Sequence, residues 1–258
     1  MPELPDVEVF RRYLDSTALH QKISSVEIRK ERLLEDVSPD DFKKSVEGNE
    51  FSSSHRHGKH LFARLNSGSS VVLHFGMTGE LKYYKDPADE PDHARVVFHF
   101  DNGYHLGYDN MRMLGKVALT DEIDEYVENE GLGPDAGRLS FEEFKDLLDG
   151  KRGMIKSAFM DQSLLAGMGN IFSDETLFQA GIHPKRQVGN LSEKDVETLY
   201  EKMMEVIEKA VVCQVSDFPD YFLINYRDED AECPRCDGEI EKIKVSSRST
   251  YFCPKCQK

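Results

Sequence analysis

At 258 residues and 29.5 kDa, with 39% hydrophobic residues and no tryptophan, the chain can bury a sizeable core in one or two domains. No run of eighteen apolar residues occurs, and the start lacks the basic-then-apolar pattern of a signal peptide, so a helical membrane span is excluded and a cytoplasmic protein is expected. The formal net charge of −15 weighs against a polyanion partner, although recognition depends on charge within about 10 Å at physiological ionic strength.

The chain opens MPELPDVEVFRR. Locally this reads as a proline-delayed helix start, with a short amphipathic helix expected from about Val7 to His20. Then come ISSVEI, SSSHRHGKHLFARL, SSVVLHFGM, ELKYY, ARVVFHF, YHLGYDN and KVAL, short β-rich runs broken by Gly, Asn and Asp. Their spacing predicts an all-β sandwich or barrel, with hairpin turns at LNSGSS (65–70) and DNGY (101–104). The acidic runs DEIDEYVENE (121–130) and RDEDAE (227–232) read as solvated faces or linkers.

The texture changes at GLGPDAGRLS, and residues 131–139 are expected to link domains. Ser140 with Glu143 three residues later is a capping box, and helical periodicity follows through KSAFMD, SDETLFQAG and residues 191–212. Cys213 is expected as a buried hydrophobe inside the last of these helices. LLAGMGNI, with two glycines, marks a tight turn between the shorter helices. The expected division is 1–130, a β-sandwich; 140–228, a helical domain; and 229–258, a metal-binding unit. The fold class is therefore α+β.

Cys233-Pro-Arg-Cys236 and Cys253-Pro-Lys-Cys256 are two CxxC knuckles separated by sixteen residues. Four thiolates at this spacing surround one Zn2+ tetrahedrally, and because no position remains for water the zinc is structural. A disulfide framework is the rival, disfavoured in a cytosolic chain. The spacer reads as strand, turn, strand, with Arg248 at the turn, in a segment where basic residues outnumber acids. An arginine there suits bidentate phosphate recognition.

PELPDVE, RHGKHLF, LHFGMTGEL, GLGP, AGMGNIFSDETLFQAGIHP and SRSTYFCPKCQK occur in one order along the chain. Together they resemble the formamidopyrimidine-DNA glycosylase / endonuclease VIII family of base-excision repair enzymes. The resemblance implies an N-terminal β-sandwich, a helix–two-turn–helix domain and a zinc finger. It also implies that double-stranded DNA carrying damaged bases or abasic sites binds in the cleft between lobes, to a monomer, in a prokaryotic nucleoid.

The resemblance makes Pro2, freed by removal of Met1, the nucleophile, and Glu3 the acid or proton shuttle. An α-amine, with a pKa of about 8, is neutral in appreciable fraction at physiological pH. Lys59, a strand lysine on local evidence, is implied to reach the damaged nucleotide's sugar and phosphate, and Arg248 to clamp the phosphates beside it. Asn170 is implied to bind phosphate, with the next helix offering its N-terminal amides to the same anion. Met77, Arg112 and Leu114 are implied to fill the void left by the flipped base. On local evidence alone Met77 and Leu114 would be core residues, and Leu114 stands where phenylalanine is usual.

Two departures mark this chain. Asp6 replaces the glutamate common in PELPEVE, and the segment from Val211 to Cys233 is short and acidic where enzymes specialised for 8-oxoguanine carry a long Gly-rich loop. A substrate preference for oxidised pyrimidines, formamidopyrimidines or other ring-damaged bases follows as an expectation. The alternatives are an AP lyase with little glycosylase activity and a non-enzymatic damaged-DNA-binding protein.

Overall fold

The computed structural model describes residues 1–258, which divide into two compact units: residues 1–2 with 6–130, and residues 3–5 with 131–258. No helix is long and apolar enough to cross a membrane.

In the first unit two four-stranded antiparallel sheets share one core. One sheet has the order β1 (Ile23–Ile28), β6 (Ala94–Phe100), β7 (His105–Asn110), β5 (Gly79–Tyr84). The other runs β2 (Phe51–His57), β3 (His60–Leu65), β4 (Ser70–His74), β8 (Lys116–Thr120). Alternating side chains of both meet between them, Phe51 against Phe98 at 5.4 Å among them, as a sandwich requires. Both hairpin turns expected at 65–70 and 101–104 are present.

Helix α1 spans Leu4–Thr17, earlier than the sequence suggested at both ends. Pro5 sits in its first turn, where a missing N–H costs nothing, and Asp6 occupies the same turn, where a carboxylate complements the helix dipole. A helix α2 (Pro39–Val46), capped by Ser38, adds Phe42 and Val46 to the core. The acidic run 121–130 is no linker. It folds as α3 (Ile123–Asn129), whose Ile123, Tyr126 and Val127 cover Phe62 on the outer face of β3. The carboxylates are solvated because the apolar third of the helix is not.

The second unit is built on α4 (Phe141–Leu148), α5 (Ile155–Met160), α6 (Asn170–Ala180) and α7 (Glu193–Val212). The Ser140–Glu143 capping box is formed at α4, and Ser192–Asp195 forms another at α7. On α7, Leu199, Met203, Val206 and Ala210 face the core at helical spacing. Residues 131–139 are stitched to the segment before α6, with Ala136 N donating to Ala166 O and Gly133 N to Gln162 O.

Helix α7 closes with Val215 N donating to Ala210 O and Gln214 N to Val211 O, both residues in the left-handed region. Cys213 therefore lies at the helix end, half-buried, rather than inside it. Beyond it Phe222 and Leu223 are buried, and Ile224 N donates to Glu175 on α6, so the stretch packs back without a long excursion. The chain ends in a hairpin of β9 (Glu241–Val245) and β10 (Arg248–Phe252).

Candidate active site and nucleic-acid interface

Glu3 is 1% exposed, and its carboxylate accepts hydrogen bonds from Ile171 N at 2.8 Å and Phe172 N at 3.2 Å, at the start of α6. The amide of the next residue, Leu4, donates to Gly167 O at 3.0 Å. The GMG turn makes room for this: a Cβ on Gly169 would lie 2.3 Å from the Glu3 carboxyl carbon. Because Gly169 has φ −133°, a conformation open to any residue, the constraint is space alone. These contacts correct one expectation. The second and third amides of α6, those of Ile171 and Phe172, serve Glu3 rather than an external anion.

Glu8, the other glutamate of the opening, is held by Arg11, Arg12 and Arg56. Partial burial pushes its pKa up, but the arginines outweigh this and bring it to about 2. It is a fixed anion, unsuited to carrying protons.

Asn170, first residue of α6, is half-buried. Its Oδ1 accepts from the Lys156 ammonium at 2.8 Å, a contact that sequence reasoning missed. Lys156 is 0% exposed and also pairs with Asp174 at 2.6 Å. Burial lowers its pKa and Asp174 opposes the shift. The one available signal was a lysine sharing a helix face with the core residue Phe159, an i, i+3 placement.

Lys59 is not a strand residue. His57 pairs with His60, which leaves Gly58 and Lys59 as the two-residue turn of the β2–β3 hairpin, Gly58 with φ 54° at the position where primed turns need it. Arg248 is exposed and opens β10, opposite Val245; the turn itself is Ser246–Ser247, both with positive φ. Pro2 is half-buried.

Met77, Arg112 and Leu114 lie on two adjoining loops, 75–78 and 111–115. Arg112 N donates to Thr78 Oγ1 at 3.1 Å. Gly76 approaches so closely that a Cβ there would lie 2.4 Å from the Leu114 backbone. Met77, Met111 and Leu114 are exposed, at 39%, 51% and 52%. They are not core residues. Clustered apolar tips held by rigid strand ends are the form that an unstacking wedge takes.

The four cysteines converge, their sulfurs all within 4.8 Å of one another and individual pairs at 3.4–3.8 Å. A tetrahedron with Zn–S bonds of about 2.3 Å has edges in that range, and a bonded disulfide pair would be about 2.05 Å apart. The donors fit one Zn2+ with no open position. Cys233 and Cys253 join Phe178, Leu223 and Ile240 in a small core of their own, so the metal organises a cluster too small to stand alone. Metal analysis is expected to find one zinc per chain. Cys253→Ala is expected to lose it and weaken DNA binding at least a hundredfold; full occupancy in that variant would remove Cys253 from the ligand set.

A β-sandwich, a helix–two-turn–helix unit and a four-thiolate finger on one chain define a class, the helix–two-turn–helix proteins with a terminal zinc finger. Residues 1–117 match the formamidopyrimidine-DNA glycosylase N-terminal domain, 131–218 the corresponding H2TH domain, and 232–258 the zinc finger found in FPG and IleRS. Formamidopyrimidine-DNA glycosylases of Desulforamulus reducens and Streptococcus pneumoniae are each 34% identical, covering 100% of this chain and 99% of their own length. Among solved structures, Lactococcus lactis Fpg bound to abasic-site DNA matches with TM-score 0.89 and 30% identity over 99% of both chains. A MutM complex with carbocyclic 8-oxo-G DNA matches with TM-score 0.90 and 31% identity over 100% of both. The chain belongs to the formamidopyrimidine-DNA glycosylase family.

Proposed function

We propose that this chain is a bifunctional DNA glycosylase and AP lyase acting as a monomer on duplex DNA. Family membership over the full length supports the activity. The observation that carries the assignment of roles is the Glu3 carboxylate, buried and doubly hydrogen-bonded one residue after Pro2. A carboxyl group so held is fixed in position beside the terminal amine, where an acid serving the sugar oxygen must lie.

Once Met1 is removed, the lone pair of Pro2 N attacks C1′ of the damaged nucleotide and the C1′–base bond breaks, the departing base taking up the proton that the substituted Pro2 N loses. The sugar ring then opens: Glu3, in its carboxylic acid form, gives its proton to the ring oxygen as the C1′–O4′ bond breaks and the Pro2 N lone pair forms the iminium with C1′. The iminium acidifies C2′. Loss of that proton expels the 3′ phosphate, a second elimination expels the 5′ phosphate, and water releases the proline. Lys59 and Arg248 bind the phosphates flanking the reacting sugar, and Asn170 a phosphate on the same strand. Met77, Arg112 and Leu114 occupy the gap in the stack, offsetting the few kcal/mol that extrusion costs.

Borohydride trapping tests the reading. A covalent adduct is expected with both a lesion-bearing and an abasic duplex. Adduct on abasic DNA alone would leave an AP lyase, and none on either would leave a binding protein.

The packed-back stretch after α7 supports a narrower substrate range. Phe222, Leu223 and the Glu175–Ile224 tether use up the residues from which a base-covering loop would be drawn. Single-turnover excision of formamidopyrimidine or oxidised pyrimidine is expected to exceed that of 8-oxoguanine opposite cytosine by about tenfold or more, the worth of one or two lost contacts to the base. Fastest excision of 8-oxoguanine would sink this preference.

A further inference from the structure

The chemistry above uses nothing from α5, yet α5 carries a completely buried ammonium. The Lys156 ammonium donates to Asn170 Oδ1 at 2.8 Å, to Thr250 Oγ1 at 2.7 Å and, at 3.4 Å, to Ser249 O, and it is ion-paired with Asp174 Oδ1 at 2.6 Å. Asp174 Oδ2 is itself engaged, by Arg227 at 2.6 Å and by Tyr251 N at 3.1 Å. A buried charge is retained only where its partners are this complete.

The consequence for Asn170 follows from donor chemistry. An ammonium donates and never accepts, so the Asn170 atom at 2.8 Å is the carbonyl oxygen and the NH2 lies on the opposite edge of the amide. Without Lys156 the two orientations of that amide would be nearly equivalent, and one of them would turn an oxygen toward an anion.

We propose that Lys156 is a positioning residue for phosphate recognition: it holds Asn170 Oδ1 so that the asparagine NH2 faces a DNA phosphate, and through Thr250 it ties that aim to the finger hairpin. The proposal rests on the reading of Asn170 as a phosphate ligand.

A double-mutant cycle on the zinc-loaded full chain tests it, with affinity measured on a duplex carrying a tetrahydrofuran abasic-site analogue. Asn170→Ala is expected to weaken binding about tenfold, the worth of a hydrogen bond to a charged group. Lys156→Met is expected to cost about the same in the wild-type background and less than twofold once Asn170 is alanine. Thr250→Val, which spares the Lys156–Asp174 pair, is expected to cost two- to fivefold with the same dependence on Asn170, and carries the cycle if Lys156→Met does not fold. The slope of log affinity against log salt should stay unchanged in Lys156→Met, since a lysine that itself touched phosphate would lower it by about 0.9. The proposal is overturned by a lowered slope, by a full tenfold loss in the Asn170→Ala background, or by wild-type affinity in both Lys156→Met and Thr250→Val. Wild-type affinity of Asn170→Ala alone would fell the phosphate role of Asn170 first, and is a separate outcome.

Discussion

A chain extended by even one residue before Pro2 is expected to give no borohydride-trapped adduct with abasic DNA, a fall of at least about a thousandfold, while still binding that DNA. In the extended chain Pro2 N is a tertiary amide whose lone pair is delocalised into the carbonyl, so it cannot attack C1′. Pro2→Gly keeps an amine but loses the ring that fixes its direction, and should likewise show little or no adduct. Gel resolution of the adduct, with a binding assay run in parallel, separates loss of chemistry from loss of affinity. An adduct of undiminished yield in the extended chain would move the nucleophile to a lysine.

Gly169→Ala should be nearly as damaging to turnover, although Gly169 carries no functional group. The added methyl would sit 2.3 Å from the Glu3 carboxyl carbon and 2.5 Å from Oε1. The flexible end of Glu3 yields more cheaply than backbone, so the carboxylate is expelled from the α6 amides and the fold survives. Orphaning Ile171 N and Phe172 N costs about 1–3 kcal/mol for each group left unsatisfied. Loss of an aimed proton carrier costs about 10²–10⁴ in rate. Single-turnover excision should fall in that range, matching Glu3→Gln, with a thermal transition lowered by several degrees and abasic-DNA affinity largely kept. A Gly169→Ala chain that excises at the wild-type rate would detach Glu3 from the chemistry.

These two residues show how unevenly the sequence disclosed the site. Six of the eight sandwich strands were legible as separate runs, because Val, Ile, Phe and Leu alternate with polar residues between Asn-Gly and Ser-Gly turns, whereas β2 and β3 were read as the one run SSSHRHGKHLFARL. The CxxC pairs were legible because four soft ligands at that spacing have few other uses. Lys59 was misplaced into a strand, since nothing local distinguishes HGKH as a two-residue turn until His57 and His60 are seen paired. Met77 and Leu114 looked like core because hydropathy is blind to which loop tips point outward; Gly76 against the Leu114 backbone settles that only in three dimensions. Likewise the amides of Ile171 and Phe172 on α6 were free to be assigned to phosphate until Glu3 was found on them. Lys156 was invisible because its four oxygen partners come from α6 and β10, the farthest 94 residues along the chain. Local pattern reports elements and ligands of short span. Contacts between distant segments, which aim the functional groups, leave no periodic trace.

The docking of Glu3 onto α6 spans 168 positions of sequence. At roughly 5–20 residues per second, a ribosome needs on the order of ten to thirty seconds to pass from the third codon to the hundred-and-seventy-first. Throughout that interval the amino terminus has no partner to close upon, and the excision of Met1 that unmasks the proposed nucleophile can proceed on an open end of the nascent chain. Only when the GMG turn and the first turn of α6 emerge does the Glu3 slot exist. The reagent end is made first and seated late, so maturation of the terminus and assembly of its acid are separated in time by the order of synthesis alone.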